Sequence, residues 1–305
     1  MAFIEKQKHG KYTYHYLVKS FRISPTKVKK ARIFLGQTVP PKEKLQELLV
    51  ELEKKAPKQY LAELLDSNTV EQLEDLRASA LIFKSFSDDD IPADFVVRFT
   101  YNSNAIEGNP LTLRETALVL ADKIAPQGTG TDAVIEAMNG KDAWEFAQSY
   151  KGHLNEAFIR KLQYQVTKNT LCRIQGQYRD SHVGISGSEW KPPKSQDVPV
   201  QMKKLCHEYS QKRKSLHPVE LAGWVHNRLV QIHPFSDGNG RTARLVLNWI
   251  LMRNHFPPVI IYVKNKQAYY SVIEAGDNGD EKPFANFLAK QLVEQYTFRK
   301  EGKEE

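Results

Sequence analysis

Two apolar helical runs that meet at a short polar turn constrain this chain more than any other feature. HPVELAGWVHNRLVQI, residues 217–232, sets Leu221, Val225, Leu229 and Ile232 on one helical stripe, and Pro234 ends that helix just after His233. A second helix opens within GNGRTARLVLNWILM, where Leu245, Val246, Trp249, Ile250 and Met252 form a face apolar enough to be core. Between them lies PFSDGNG, whose Gly238 and Gly240 allow backbone conformations closed to other residues. Successive amides entering a helix N-terminus make an anion cradle, so the turn predicts a phosphate site at Gly238, Asn239 and Gly240.

The neighbouring side chains fit that ligand. Arg241 and Arg244 stand three apart, neighbours on one helical face, and guanidinium groups suit bidentate contact with phosphate oxygens. Asp237 would repel phosphate unless a cation lay between them, which predicts Mg²⁺, or Mn²⁺, on its carboxylate. His233 titrates near neutrality and can take the proton of an attacking hydroxyl while charge develops on phosphorus. Singly, each residue has a plainer reading: a histidine after a helix, a glycine-rich turn and two solvent-facing arginines are all common. Gathered in one helix-loop-helix unit, they point to nucleotidyl or phosphoryl transfer to a hydroxyl.

Elsewhere the pattern predicts a mostly α protein. NTVEQLEDLRASALIF, TLRETALVLADK, DAWEFAQSYKG and NEAFIRKLQYQVTK combine polar caps with helical apolar spacing, and Leu45, Leu48, Leu49 and Leu52 form a stripe after VPPKE. The first forty residues differ, since YTYHYLVKSFRI and KVKKARIFLGQ around an SPTK turn predict a small basic β-hairpin. GQYRDSHVGISGSEWKPPKSQDVPV alternates short β-prone pieces with Gly, Ser and Pro, as a flap over a site would. The expected organisation is a basic hairpin region over 1–40, a helical region over 41–95, the functional core over 96–298 and a frayed tail over 299–305.

With 305 residues, 41% of them hydrophobic, the chain can bury a core, yet no apolar run is long enough to span a bilayer. MAFIEKQKHG lacks the apolar stretch of a secretory signal, so the expected compartment is the cytosol, without membrane contact. Cys172 and Cys206 lack metal-ligand or redox spacing and read as reduced, partly buried thiols. A net charge of +8 favours anionic partners without choosing among phosphates, nucleotides, nucleic acid and acidic proteins.

HPFSDGNGRTAR matches at every specified position the signature HPF-x-(D/E)-GNGR-x-x-R, through which the chain resembles the Fic family. GQYR at 176–179, QDV at 196–198, HPVE at 217–220, YYSVIEA at 269–275 and GDEKPF at 279–284 extend the likeness from about residue 95 onward. The resemblance implies a helical bundle with a β-hairpin flap, and AMP transfer from ATP to a Ser, Thr or Tyr hydroxyl of a target protein or of the enzyme itself. It implies His233 as general base, Asp237 as the Mg²⁺ ligand, and the 238–240 loop with Arg241 and Arg244 as the phosphate site. Val183, Gly184, Ile185 and Ser186 of the flap would align the target as an added strand.

SNAIEGN, residues 103–109, resembles the family's inhibitory motif (S/T)-x-x-x-E-(G/N), with Ser103 and Glu107 on one helical face. That likeness implies that Glu107 pairs with Arg244, keeps the ATP γ-phosphate from its productive position, and sets the balance between rest, AMP transfer and AMP removal. At the implied base-binding position many relatives carry Asn, but this chain has Asp277, which only accepts hydrogen bonds when ionised. Tyr269 and Tyr270 would wall the base by stacking. Two competing readings are a phosphoryl or phosphocholine transfer in the same site, against which the intact Arg241 and GNG loop argue, and a nucleic-acid-associated regulator. The latter would work through Lys27 to Arg32, a stretch with charge but no recognised reading element, and nucleic acid is therefore set below a protein target. A homodimer built through the helices is compatible with the pattern and not specified by it.

Overall fold

Polar caps and apolar stripes fix the element order. The structure, a computed structural model, describes residues 2–10, 12–22, 28–54, 60–82, 93–185 and 189–301. A sheet of β1 (Ala2–His9), β2 (Tyr12–Arg22) and β3 (Val28–Gly36) comes first. Eleven helices follow among the described residues: α1 Lys42–Lys54, α2 Ser67–Ile82, α3 Ala93–Ile106, α4 Leu113–Ala117, α5 Thr131–Ser149, α6 Glu156–Thr167, α7 Val198–Lys212, α8 Pro218–Ile232, α9 Asn239–Arg253, α10 Lys266–Asp277 and α11 Lys282–Glu301.

The predicted N-terminal hairpin is β2 with β3, and its SPTK turn lies outside the described residues. What the sequence reading missed is β1, which pairs antiparallel along β2 and makes a three-stranded sheet in the order β1-β2-β3. Lys and Gln lower its intrinsic strand preference, but cross-strand pairing along β2 overrides that preference. Among the described residues of α1, Leu45, Leu48 and Leu49 are partly buried, and the helix contacts β2 and β3. The side chain of Leu52 lies outside the description.

Helices α8 and α9 form the centre of the bundle. The expected stripe on α8 is in fact a helix buried almost all round, with Arg228 its one exposed residue, as a helix enclosed by neighbours requires. Phe284 and Leu288 of α11 lie so close to Gly223 that a methyl group there would touch the Phe284 ring at 3.1 Å. One hydrophobic core runs from Leu65 to Leu292, so residues 60–82 share it with the helices that follow. HPVE supplies the anchor: the buried Glu220 carboxylate accepts the amides of Glu63, Leu64 and Leu65 at 3.0, 2.9 and 2.8 Å. Charge-assisted bonds of this kind are about twice as strong as neutral ones, which fastens the 61–65 turn to α8.

The flap differs from the predicted hairpin. Residues 182–185 and 189–194 form no strand pairing, and Ser186 lies outside the described residues. Instead the buried Arg179 joins the two legs, donating from Nη1 to the Ser181 carbonyl at 3.0 Å and from Nη2 to the Pro193 carbonyl. Helix α11 continues into the stretch expected to fray, as far as Glu301, and residues 302–305 lie outside the description. Both cysteines are free and half-buried, as expected. No described helix is long and apolar enough to cross a membrane.

Candidate functional site

The α8-to-α9 turn holds His233 at its amide, its carbonyl and its ring. His233 caps α8 in the left-handed region, at φ 47°, an uncommon conformation for a side chain of this size. Its amide donates to the Leu229 carbonyl at 3.0 Å, and its own carbonyl accepts Arg179 Nε at 2.8 Å. Nδ1 lies 3.3 Å from the Val230 carbonyl, which fixes the proton on Nδ1 and leaves Nε2 with its lone pair. Burial lowers the His233 pKa, opposed by the Val230 carbonyl and assisted by the Arg179 charge, so the imidazole is neutral at pH 7.

Beyond it the loop folds on itself. Asn239 accepts the Phe235 amide at 3.0 Å and donates to the Phe235 carbonyl at 2.8 Å, so its side chain braces the loop. Gly238 has φ 76°, the left-handed backbone expected of it. Gly240 does not: it sits inside the first turn of α9, where a methyl group would meet the movable end of Glu107, its carboxylate.

That carboxylate is the centre of the site. It lies just past the end of α3, where Oε1 accepts Arg244 Nη2 at 2.7 Å. Arg244, 2% exposed, also donates from Nε to Ser103 Oγ at 3.0 Å and from Nη2 to the Ser103 carbonyl at 2.8 Å. The spacing of Ser103 and Glu107 thus presents both to one guanidinium. Burial works against the Arg244 charge, yet Glu107 and Tyr269 outweigh it and hold the pKa above the ordinary arginine value.

Arg241 behaves differently from the expectation of two parallel phosphate ligands. It is drawn away toward α5, where Glu136 Oε1 accepts Nη1 at 2.7 Å, while Asp237 takes Nη2 on both oxygens at 3.1 Å. Glu136 on α5 and Glu107 just past α3 therefore draw the two arginines to different partners. Glu136 Oε2 in turn accepts Asn109 Nδ2 at 2.8 Å, which links the end of the SNAIEGN segment to Arg241. Asp237, the candidate metal ligand, keeps a side chain about half exposed beside a cavity of roughly 340 Å³ that Glu136 and Ser236 also line. A hard carboxylate with an open side fits a divalent cation, although Arg241 must yield part of it. Among the described residues no cluster of three or more His, Cys, Asp or Glu could hold a metal by itself.

The base-binding expectations are corrected in part. Adjacent residues on a helix point about 100° apart, and of the tyrosine pair only Tyr270 is exposed; its hydroxyl donates to the Ile106 carbonyl at 3.2 Å, beside Glu107. Tyr269 is 1% exposed and stands behind Arg244, where its hydroxyl lies 3.4 Å from Nη1 and 2.7 Å from His226 Nε2. It is a support for the arginine rather than a wall for a base. Asp277 closes α10 with Oδ1 buried and without a hydrogen-bond partner; burial raises its carboxyl pKa, and Gln231 acts in the opposite direction. In the flap, Val183 and Ile185 are half-buried and Gly184 exposed, around an open concavity of about 560 Å³.

Four residues of this network escaped the sequence reading: Arg179, Glu136, His226 and Gln163, whose Nε2 donates to the Asp237 carbonyl at 3.0 Å. His226, fully buried, is pushed down to about 3 by desolvation, so it is neutral and can accept from the Tyr269 hydroxyl. Only GQYR carried a signal for any of them, and it named a landmark without a role.

The helix-loop-helix falls within a stretch that resembles known proteins. Residues 153–251 match the Fic/DOC family model. Over 195 residues, 62% of this chain and 45% of the other, the chain is 36% identical to a protein adenylyltransferase Fic of Nematostella vectensis. The chain spans less than half the length of the curated relatives it matches. A Fic-domain-containing signaling protein from Bacteroides thetaiotaomicron superposes with TM-score 0.65 at 28% identity, covering 75% of this chain and 94% of that one. A Fic-1 fragment from C. elegans gives TM-score 0.66 at 25% identity, covering 84% and 74%. With its helical fold, its helix-loop-helix and its relatives in accord, the chain carries a Fic/DOC domain over residues 153–251.

Proposed function

We propose that this chain is a protein adenylyltransferase that moves AMP from ATP to a hydroxyl of a target protein and is held at rest by Glu107. One observation carries the reading: the Glu107 carboxylate is bonded to Arg244 at 2.7 Å, against the opening turn of α9 that would otherwise receive phosphate. His233 Nε2 accepts the hydroxyl proton as the oxygen attacks the α-phosphorus, the bond to the bridging oxygen breaks, and pyrophosphate leaves. Asp237 would hold Mg²⁺ or Mn²⁺, which neutralises phosphate oxygens when bound. Arg241 then keeps its place through Glu136. The target lies along the flap at Val183 to Ile185 as an extended segment. Because Arg244 uses one oxygen of a carboxylate that is about one third exposed, the other is placed to orient water, which supports AMP removal as a second activity of this site. The relatives named protein adenylyltransferase support the main reaction.

Incubation with α-labelled and, separately, γ-labelled ATP tests the reading. Protein-bound label from the α position alone is expected, and label from the γ position alone would replace nucleotidyl with phosphoryl transfer. The pH profile adds a second check. Since burial lowers the His233 pKa and the base must be neutral, activity falls only as pH drops through that lowered value, below the ordinary histidine value of about 6.5. An acid limb of kcat/KM centred at or above that value would contradict the assigned base.

A further inference from the structure

The N-terminal sheet lies outside the residues that match the Fic/DOC model, and its chemistry is unlike the rest of the chain. Residues 1–40 hold nine Lys and Arg against one acid, so the entire formal charge of +8 resides there and residues 41–305 balance at 35 of each sign. Strand alternation sorts the side chains. Tyr12, Tyr14 and Tyr16 follow each other on one face of β2; register brings Phe34 opposite Tyr16 and puts Arg32 and Phe3 opposite Val18 on that same face. Ring contacts agree: Phe34 lies 5.3 Å from Tyr16 and 5.7 Å from Tyr14, and Tyr14 lies 6.4 Å from Tyr12. Farther along, Lys30 Nζ sits 5.7 Å over the Phe3 ring and Arg32 pairs with Glu5 at 3.2 Å.

Such a face does little for stability. Tyr12 and Phe34 are each 58% exposed and Phe3 is 42% exposed; on this face Val18, between Phe3 and Arg32, is buried, and Leu17 is buried on the opposite face. A row of exposed rings bordered by cations marks a binding surface rather than a solvated one. Flat rings in a row match the faces of unstacked bases, and the concentrated positive charge matches a phosphate backbone. A duplex hides its base faces, and an acidic protein offers no repeating flat group to stack.

We propose that this face of the N-terminal sheet binds single-stranded nucleic acid, with bases stacked on Tyr12, Phe34 and Tyr16 and phosphates held by Lys30 and Arg32. Sheets that carry stacking aromatics on an exposed face bind single strands in this way. The inference is independent of the transfer reaction, since none of these residues belongs to the α8–α9 site.

Fluorescence anisotropy of the full chain with labelled oligothymidylate and oligouridylate of about 16 nucleotides, beside a duplex of equal length, is the test. Single strands are expected to bind about tenfold or more tightly than duplex, with affinity falling as salt rises. Replacing Tyr12→Leu and Phe34→Leu together keeps apolar volume but removes the stacking faces, and is expected to weaken binding about tenfold or more while the melting temperature and AMP transfer stay at wild-type values. Lys30→Gln with Arg32→Gln should flatten the salt dependence. The relative response to the DNA and RNA strands identifies the source. Equal affinity for duplex, wild-type binding by the leucine pair, or capture by anionic vesicles or polyglutamate in place of oligonucleotides would overturn the proposal.

Discussion

Glu107→Gly is expected to raise incorporation of AMP from α-labelled ATP into protein by about 10- to 150-fold. The figure follows from one charge-assisted hydrogen bond, worth roughly 1.5–3 kcal/mol, that phosphate must displace before it can reach Arg244. Removing the carboxylate also clears the space over Gly240, where it presses against the first turn of α9. The fold should survive, because Arg244 retains Ser103 Oγ and the Ser103 carbonyl as acceptors and its guanidinium is not left bare. Glu107→Gln separates charge from bulk: it preserves an acceptor oxygen but not the ion pair, and its gain should fall between wild type and glycine. Wild-type incorporation by Glu107→Gly, with Mg²⁺ and with Mn²⁺ alike, would show that the contact restrains nothing.

Why the sequence disclosed this contact but not its surroundings is a matter of range. The Ser103 and Glu107 spacing and the GNGRTAR turn are local patterns, readable because a helix repeats every three to four residues and a tight turn needs glycine. Even so, what lies against Gly240 was not legible, because the Glu107 carboxylate comes from the turn after α3, far away in sequence. Glu136 and His226 were invisible for the same reason. Each sits in an ordinary helical stretch, and only packing of α5 and α10 against the centre gives it Arg241 or Tyr269 as a partner. The helices were legible from period alone, while β1 was not, since a strand with alternating lysines is stabilised by its neighbour rather than by its own composition. The flap departs in the opposite sense: its described residues have no partner strand, and the Arg179 side chain joins its two legs.

Arg179 also couples the flap to the base. One guanidinium reaches the His233 carbonyl and both flap legs, so under the proposed function a target laid on the flap would be registered against the imidazole. Asp237 is fixed from the opposite side by Gln163 through its carbonyl. The loop between them has little freedom, which is what pre-organised transfer of a phosphoryl centre requires.

His233→Ala in the Glu107→Gly background is expected to lower the transfer rate by about 10²- to 10⁴-fold, the usual range for losing a positioned general base. Nucleotide affinity should change little, because the opening turn of α9 and Arg244 do not depend on the imidazole. The left-handed backbone at φ 47° complicates the variant, since alanine is no better suited to that conformation than histidine. Asparagine tolerates it, so His233→Asn separates loss of the base from distortion of the loop. Both variants should be equally inactive and should bind ATP as their parent does. Recovery of activity in His233→Asn would assign the histidine a structural part in the turn, and full activity in both would remove proton transfer at Nε2 from the reaction.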